Sequence, residues 1–345
     1  MIRVPVNRVV LLLSILGSVA LLAACGSSFQ LARLPAAPPV RNALVYAKVG
    51  PTGVNRVAPK RIWVAAPNGE HRRLLTYGDW PAVSPDGRYV AYFDSSGKKL
   101  LVIPTAGGKP TAVGSADDEP IWAPNSRFLA LEGSSRVVVV DVQTGKQLRA
   151  IASACGFAFS PSSQRIAYTS DDDGSCDGDL YVVPTSGGSP VRLTDDHETS
   201  ALGVAWGRPG IAFFRYTPAS GGEGDIWLTD GRKHDARRLT HEGGAFGPNV
   251  PVYFSTNGRE LLAAGDAVHT ATVWAVDLPS GDVRQLNGIG YYTVPLGLSR
   301  DGTTVLAAAT TNYITPDSWL ETIPFAGGKP HIMTRGPSSA SWTVR

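Results

Sequence analysis

The sequence is short of the residues that most often build catalytic and metal centres. It has three cysteines, two methionines and six scattered histidines among 345 residues. It contains no HExxH, GxSxG, phosphate-binding-loop or Cys-x-x-Cys motif, so it gives no support to a zinc peptidase, an α/β-hydrolase, a nucleotide hydrolase or a thiol oxidoreductase. It also lacks a large excess of either charge, because the formal net charge is +3. Such a balance predicts no nucleic-acid partner.

Long apolar runs are also scarce, and one stands at the N-terminus. Residues 9–22 are almost all apolar, follow Arg3 and Arg8, and end shortly before Cys25. A run of this length suits the core of a signal peptide and is short for a membrane-spanning helix.

The residues at the expected cleavage point, Leu22-Ala23-Ala24-Cys25, resemble the lipobox of bacterial lipoproteins. The resemblance implies that residues 1–24 are a signal peptide and that Cys25 becomes the lipid-carrying first residue of an exported, envelope-anchored protein. An ordinary signal peptide and a transmembrane anchor are the alternatives. Removal of residues 1–24 takes away two arginines and no acidic residue, so the net charge falls from +3 to +1.

Residues 25–43 are interpreted as the lipidated cysteine and a flexible tether. They contain Pro35, Pro38 and Pro39 and show no hydrophobic periodicity. A coil of this length has a mean span of roughly 20–25 Å. A single domain is then expected from residue 44 to residue 345.

The two other cysteines, Cys155 and Cys176, form a predicted disulfide. An exported protein meets an oxidising compartment, where such a pair usually forms a bridge. Two free thiols are the alternative.

The chain after the tether repeats a unit of about 40–45 residues. In the clearest copy, which begins at Trp80, an apolar strand leads into the turn Ser84-Pro85-Asp86-Gly87, and three further short strands follow. Turns in the same position recur near residues 123, 160, 207, 255 and 299. Four short strands per unit at this period are typical of β-propeller blades.

The order of the pieces within a unit is also constant. A Ser-Pro-Asp-Gly-Arg turn precedes a Val-Ala-Tyr strand, a third strand such as Leu180-Tyr181-Val182-Val183, and an outer strand that ends in Leu-Thr, as at Leu193-Thr194. The pattern resembles the TolB-like propeller repeat, a relative of the WD-type repeats, over residues 44–344. The resemblance implies an all-β propeller but no particular activity, because propellers carry many unrelated functions. TolB has an additional N-terminal domain, for which residues 26–43 are too short, and this weakens any analogy with a Tol-type envelope complex.

The strand count predicts how the ring closes. Six complete units start near residues 80, 119, 155, 201, 249 and 293, whereas the first unit, which begins at Leu44, lacks its innermost strand. Residues 339–344 are interpreted as a lone first strand, with Trp342 in the place of Trp122 and Trp206. We therefore expect seven blades, with the C-terminal strand completing the first blade and removing an open sheet edge. Six or eight blades would follow if one degraded unit is misassigned.

Strand direction separates the loops into two faces. The loops between blades and those between second and third strands share what we call the far face, where Cys155 and Cys176 both fall. A bridge between them would remove loop entropy worth roughly 3 kcal/mol. The Ser-Pro-Asp-Gly and Gly-Gly turns share the near face, from which the tether leaves. We expect an acidic far face and a basic near face turned toward the membrane, with ordinary solvated turn charge as the alternative.

The far face is the predicted binding surface, because loops on a rigid scaffold commonly carry recognition. Its candidate residues are Asp79, Trp80, Asp117, Asp118, Glu119, Asp195, Asp196, His197, Glu198, His241, Glu242, Tyr291 and Tyr292. His197 and His241 lie one blade period apart and are candidate ligands for a divalent metal. The acidic run over residues 171–179 is a candidate for calcium, although its spacing does not fit the twelve-residue calcium loop.

The sequence thus favours a monomeric, membrane-anchored binding or scaffold module without a resident cofactor. Its expected partner is a protein, peptide or glycan of the cell envelope. A metal-dependent hydrolase or lyase, acting on envelope polymers through the far face, is the alternative hypothesis. A structural accessory in lipoprotein-dependent envelope assembly is a third.

Overall fold

In the residues that it describes, the computed structural model contains twenty-nine short strands. It describes residues 34–41, 43–49, 60–114, 120–133, 136–170, 177–195, 199–216, 224–232, 235–241, 252–267, 270–290, 292–299, 301–311 and 318–342. In these ranges the strands are β1 (Leu44–Val49), β2 (Lys60–Ala65), β3 (Arg73–Tyr77), β4 (Asp79–Val83), β5 (Tyr89–Phe93), β6 (Leu100–Pro104), β7 (Thr111–Gly114), β8 (Ile121–Trp122), β9 (Phe128–Gly133), β10 (Arg136–Asp141), β11 (Lys146–Ala152), β12 (Ala154–Phe159), β13 (Arg165–Ser170), β14 (Asp177–Gly178), β15 (Leu180–Pro184), β16 (Val191–Arg192), β17 (Thr199–Gly207), β18 (Gly210–Tyr216), β19 (Gly224–Thr229), β20 (Arg237–Arg238), β21 (Val252–Phe254), β22 (Glu260–Ala267), β23 (Thr270–Asp277), β24 (Val283–Leu286), β25 (Tyr292–Leu298), β26 (Thr304–Thr310), β27 (Ser318–Pro324), β28 (His331–Arg335) and β29 (Pro337–Trp342).

The strands form seven antiparallel sheets, which are the blades of a propeller. Blade 1 has the order β29-β1-β2-β3, and blades 2 to 7 follow along the chain as β4–β7, β8–β11, β12–β16, β17–β20, β21–β24 and β25–β28. One strand departs from this order: β14 precedes β15 of blade 4 in the chain but joins the sheet of blade 5 by pairing with β17. The prediction of an all-β, seven-bladed propeller is therefore confirmed.

Burial along a blade explains the composition of its strands. In blade 3 the third strand, β10, has four valines in succession, and all four are buried, because neighbouring blades cover both faces of the sheet. The outermost strand, β11, is mostly exposed or half-buried and carries Lys146, Gln147 and Arg149. Inner strands thus read as apolar runs and outer strands as mixed sequences.

The C-terminal strand closes the ring, as the strand count predicts. β29 pairs with β1 from Leu44 opposite Trp342 to Lys48 opposite Pro337, with a register shift between Ala47 and Lys48. Blade 1 is therefore assembled from the two ends of the domain, and β1 has partners on both sides. Closure of this kind protects a strand edge that would otherwise be open to other chains.

The near-face turns bind one another around the ring. The backbone N–H of Asp86 donates to Ser126 Oγ at 2.9 Å, and that of Asn125 donates to Ser163 Oγ at 3.0 Å. Both serines occupy the position that Gly87 has in the Ser-Pro-Asp-Gly turn of blade 2. Both have a positive φ of about 60°. A side chain tolerated there supplies a hydrogen bond between blades that glycine cannot supply.

Arginines of the outer strands provide a second link between neighbouring blades. Arg73, Arg149, Arg237 and Arg284 each donate to a backbone carbonyl in the turn after the third strand of the next blade. The last of these also lies over the ring of Phe325, with 5.4 Å between guanidinium carbon and ring centroid. These contacts cross interblade boundaries that apolar packing otherwise holds. No helix in the described ranges is long and apolar enough to cross a membrane.

Candidate functional site: the two faces of the ring

Asp79 and Trp80 stand on the far face at the start of β4. The carboxylate of Asp79 forms an ion pair with Lys60 of blade 1, and it is half-buried. Trp80 is also half-buried, and it packs against the apolar cluster shared by blades 2 and 3. Its φ of +53° is costly for a bulky residue. Trp80, which is a predicted binding residue, thus also contributes to the packing between blades 2 and 3.

Asp195 and His241 occupy equivalent, exposed positions after the outer strands of blades 4 and 5. Each follows a Leu-Thr pair whose threonine has a structural role. Thr194 Oγ1 donates to the Asp179 carboxylate at 3.0 Å, and Thr240 Oγ1 donates to that of Asp225 at 2.9 Å. In blades 4 and 5 the Leu-Thr ending therefore marks a buried carboxylate rather than a ligand site.

An arginine completes each of these carboxylate sites. Arg192 forms an ion pair with Asp179, and Arg238 forms one with Asp225, while both aspartates are 1% exposed. Because Asp179 already holds Arg192 and Thr194, the predicted calcium run over residues 171–179 loses one of its oxygen ligands to the fold. The sequence signal that would have found these sites is Arg-x-Thr on an outer strand, with an aspartate before the third strand.

Many of the predicted far-face residues lie outside what the structure describes. This applies to Asp117, Asp118, Glu119, Cys176, Asp196, His197, Glu198, Glu242 and Tyr291, and to the side chains of Cys155 and Tyr292. The predicted lipidation site, Cys25, also lies outside the described residues. The predicted disulfide and the histidine pair therefore stay predictions. Within the described residues, no three His, Cys, Asp or Glu side chains are grouped so that they could hold a metal ion.

Glu321 of β27 is a fully buried carboxylate in blade 7, with 0% exposure. It accepts hydrogen bonds from Trp319 Nε1 at 2.9 Å and from the backbone N–H of Ile289 at 3.1 Å. Burial raises the pKa of Glu321 above its ordinary value, and the neutral donors around it act in the opposite direction. A Cβ on Gly288 would lie 2.4 Å from the carboxylate, so residues 288 and 289 close tightly over it.

The position of Glu321 links it to the far face. Blades 1, 4, 5 and 6 have Trp63, Tyr181, Trp227 and Trp274 at the equivalent place on their third strands. In blade 7 the carboxylate instead fixes residues 288–290, which lead into the predicted binding residues Tyr291 and Tyr292. Glu321 was not among the residues predicted from the sequence. The signal for it is that an acidic residue stands at a repeat position where four other blades have an aromatic residue.

The near face is less basic than expected. Four near-face arginines lie within 2.5–3.3 Å of carboxylates of their own face, namely Arg88, Arg127, Arg232 and Arg259. The partners are Asp86, Asp141, Asp230 and Asp277. This pairing revises the prediction of a basic near face, because carboxylates of the same face offset part of the positive charge of these arginines.

The near face also carries the last part of the predicted tether. Residues 34–41 cross blade 2, where Tyr89 Oη donates to Pro35 O at 2.6 Å and Arg88 Nη1 donates to Ala37 O at 3.1 Å. The backbone N–H of Val40 donates to Gly87 O at 2.9 Å. Leu34 is 8% exposed and belongs to the apolar cluster of blades 2 and 3. We call residues 34–41 the strap; they are bound to the ring, whereas the sequence predicted a coil.

A cleft of about 600 Å³ opens on the near face between blades 5 and 6. Leu228, Leu278, Pro209 and Pro279 provide apolar walls, and charged side chains stand beside them. The charged lining residues are Asp230, Asp235, Arg237 and Arg259. Its size lies within the range of about 300–1,000 Å³ that is usual for ligand clefts. None of these lining residues belongs to a site predicted from the sequence.

Comparisons with known proteins agree on the fold. No protein-family model and no curated protein sequence matches the chain. Among solved structures, a protein described as a putative TolB from Agrobacterium tumefaciens is 16% identical, with a TM-score of 0.53 over 67% of this chain and 88% of its own.

Two further structures illustrate how widely the propeller is used. The β-propeller domain of the trilobed protease from Pyrococcus furiosus is 11% identical, with a TM-score of 0.63 over 90% of this chain and 97% of its own. An oligogalacturonate lyase from Vibrio parahaemolyticus is 9% identical, with a TM-score of 0.57 over 86% and 87%. At such identities the likeness concerns the fold alone. The chain is a seven-bladed, all-β propeller that is similar in fold to the TolB-type propellers.

Proposed function

We propose that this protein is a lipid-anchored, extracytoplasmic binding module for a protein, peptide or glycan of the cell envelope. The lipobox-like N-terminus supports the anchoring, and the closed ring supports a rigid display of loops. The strap is the observation that carries the proposal, because it is an extended polypeptide bound by side chains and carbonyls of the ring face.

The strap also defines the orientation of the anchored protein. Eight residues separate Cys25 from Leu34. Fully extended, they span about 30 Å at most. The near face beside blades 2 and 3 would therefore stay close to the membrane. The far face, with Asp79, Trp80, Asp195 and His241, would point away from it and meet partners.

Anchoring is tested with Cys25→Ser in cells supplied with labelled palmitate. We expect the wild-type protein to carry the label and to sediment with membranes, whereas Cys25→Ser loses the label and the sedimentation. Ser28→Ala is the matched control, and it should behave as the wild type. A Cys25→Ser protein that keeps the label would contradict lipid attachment at Cys25.

Binding is tested by crosslinking in membranes with paired sets of variants. One set changes far-face acids (Asp195→Ala, Asp196→Ala, Glu198→Ala and Glu242→Ala), and the control set changes exposed near-face residues (Lys109→Ala, Lys146→Ala, Arg232→Ala and Lys329→Ala). We expect a defined crosslinked species that the far-face set loses and the control set keeps. Equal loss in both sets, or none, would contradict recognition by the far face.

The same preparations distinguish the binding module from an enzyme. Metal analysis of the purified protein and of the His197→Ala, His241→Ala double variant measures whether the histidine pair retains a metal. A stoichiometric metal that the double variant loses would favour the metal-dependent hydrolase or lyase instead.

A further inference from the structure

The open cleft between blades 5 and 6 is the counterpart of the site in which Leu34 of the strap is buried. In blades 5 and 6, Leu228 lies opposite Ala212, and the backbone N–H of Leu278 donates to Arg259 O at 2.9 Å. In blades 2 and 3, Val102 lies opposite Ala91, and the N–H of Val142 donates to Arg127 O at 3.0 Å. Leu228 and Leu278 therefore correspond to Val102 and Val142, which belong to the same cluster as Leu34.

Two features of blade 5 explain why its cleft is open. Blade 2 connects its first two strands through four residues between Ser84 and Tyr89, whereas blade 5 uses only Arg208 and Pro209. Gly210 also stands where blade 2 has Tyr89. A Cβ on Gly210 would lie 2.2 Å from Thr229 O, so no side chain is tolerated there. The space that a longer turn and a tyrosine occupy in blade 2 is thus left empty.

Blade 7 shows what a filled version of the cleft looks like. Phe325 occupies the position of Leu278, because its N–H donates to Thr303 O in the same way. Arg284 lies over the Phe325 ring and donates to its carbonyl at 2.9 Å. In blade 5, Arg237 donates to Leu278 O at 3.0 Å, but the smaller leucine leaves the cleft unfilled.

We infer that the cleft between blades 5 and 6 binds an extended, leucine-containing and proline-rich peptide segment of a partner protein. The leucine would enter between Leu228 and Leu278, as Leu34 enters the cluster of blades 2 and 3. Proline-rich segments are preformed in an extended conformation and present free carbonyls. Arg259 occupies the position of Arg127, pairs with Asp277 and keeps a side chain that is 72% exposed. It is placed to donate to such a carbonyl, which is the kind of contact that Arg88 of blade 2 makes with Ala37 O.

The charged residues add a preference to this binding mode. Asp230 and Asp235 line the same cleft. Asp230 is already paired with Arg232, so Asp235 is the carboxylate that favours a basic residue beside the leucine, as in the sequence Arg33-Leu34-Pro35 of the chain itself. The inference deepens the proposed binding role by naming a ligand class and a second surface, and it rests on that role only for the origin of the peptide.

A labelled peptide copying residues 33–41 is the probe, and the mature protein with its own strap is the receptor. We expect saturable binding by fluorescence anisotropy, and an at least tenfold weaker affinity for a peptide with Leu34→Ala. Leu278→Phe, which copies blade 7, should weaken binding at least tenfold, and Arg259→Ala should weaken it severalfold. Lys329→Ala is the matched control, because Lys329 is an exposed near-face cation of blade 7 that does not line the cleft, and it should bind as the wild type.

Three results would overturn the inference. One is no binding by the wild type at probe concentrations up to about 1 mM, the weak end of measurable affinity. Another is equal binding by wild type and Leu278→Phe, with both proteins shown to be folded by their thermal transitions. The third is binding that Tyr89→Phe alters and Leu278→Phe does not, because the probe would then exchange with the strap on blade 2. None of these results affects the anchoring or far-face crosslinking experiments.

Discussion

Individual residues in this propeller show how a repeat position can change its role. Ser126 and Ser163 replace the glycine of the Ser-Pro-Asp-Gly turn, accept a positive φ, and gain a hydrogen bond to the preceding blade. Glu321 replaces the aromatic residue of the third strand and becomes a buried acceptor for three neutral donors. In both cases the departure from the repeat, rather than the repeat itself, carries the information.

Glu321 makes the free energy of unfolding depend on pH. Its pKa in the folded protein is raised above the ordinary value of 4.5, so the folded state favours the protonated form. The stability that this group contributes is therefore complete below about pH 4.5 and is lost as the pH rises through the folded-state pKa. Each tenfold difference in acid dissociation constant between the folded and unfolded states corresponds to about 1.4 kcal/mol. Glu321→Gln removes this dependence, so the variant should gain stability relative to the wild type between pH 4.5 and 7.

Denaturant unfolding at several pH values measures the effect. Glu70→Gln, which changes an exposed glutamate, is the control and should follow the wild type. A parallel pH profile for Glu321→Gln and wild type would contradict the assignment.

The strap is the element whose structure differs from the prediction, since the sequence indicates a flexible tether there. It has no strand partner and no hydrophobic period, and its three prolines suggest a coil. Its order comes from contacts with residues about 50 positions away, namely Gly87, Arg88 and Tyr89. Such contacts depend on the position of blade 2 beside blade 1 and leave no local pattern in the sequence.

Gly87→Ala should release the strap. A Cβ on Gly87 would lie 2.1 Å from Val40 O, and the φ of +73° adds strain. Gly97→Ala is the matched control, because Gly97 has a similar φ of +70° but nothing within 4 Å. Trypsin should cleave after the exposed Arg41 about tenfold faster in Gly87→Ala than in the wild type, since local opening governs proteolysis. Equal cleavage rates in the two glycine variants would mean that backbone strain, and not the strap contact, causes the effect.

At the scale of the whole molecule, ring closure depends on a single strand. β29 supplies the inner strand of blade 1, and it contacts blade 2 as well as β1. Truncation after Gly336 removes this strand and exposes the edge of β1. We expect the thermal midpoint to fall by more than about 10 °C and the protein to associate through the open edge.

Removal of residues 343–345 is the control for this truncation. It leaves β29 whole, so calorimetry and size-exclusion chromatography should give the wild-type result. A protein truncated after Gly336 that keeps the wild-type midpoint as a monomer would show that closure by β29 is not needed.

The sequence by itself determined the architecture of this protein, including seven blades and closure by the C-terminal strand. Turn residues and apolar strands are local signals in the sequence. Because each of the seven blades repeats them, the number and order of the blades can be predicted from the sequence alone. It also predicted which loops share a face, since strand direction follows from strand order.

Tertiary structure alone decided which charges are paired, where the strap lies and which interblade cleft stays open. Arg127 and Arg259 meet Asp141 and Asp277 only after folding, and Asp179 and Asp225 pair with Arg192 and Arg238 across their blades. The cleft between blades 5 and 6 depends on a turn two residues shorter and on Gly210 beside Thr229 O. The strap contacts, the Asp179 and Asp225 sites and the open cleft join residues that are separated in the chain, so a local sequence pattern does not predict them.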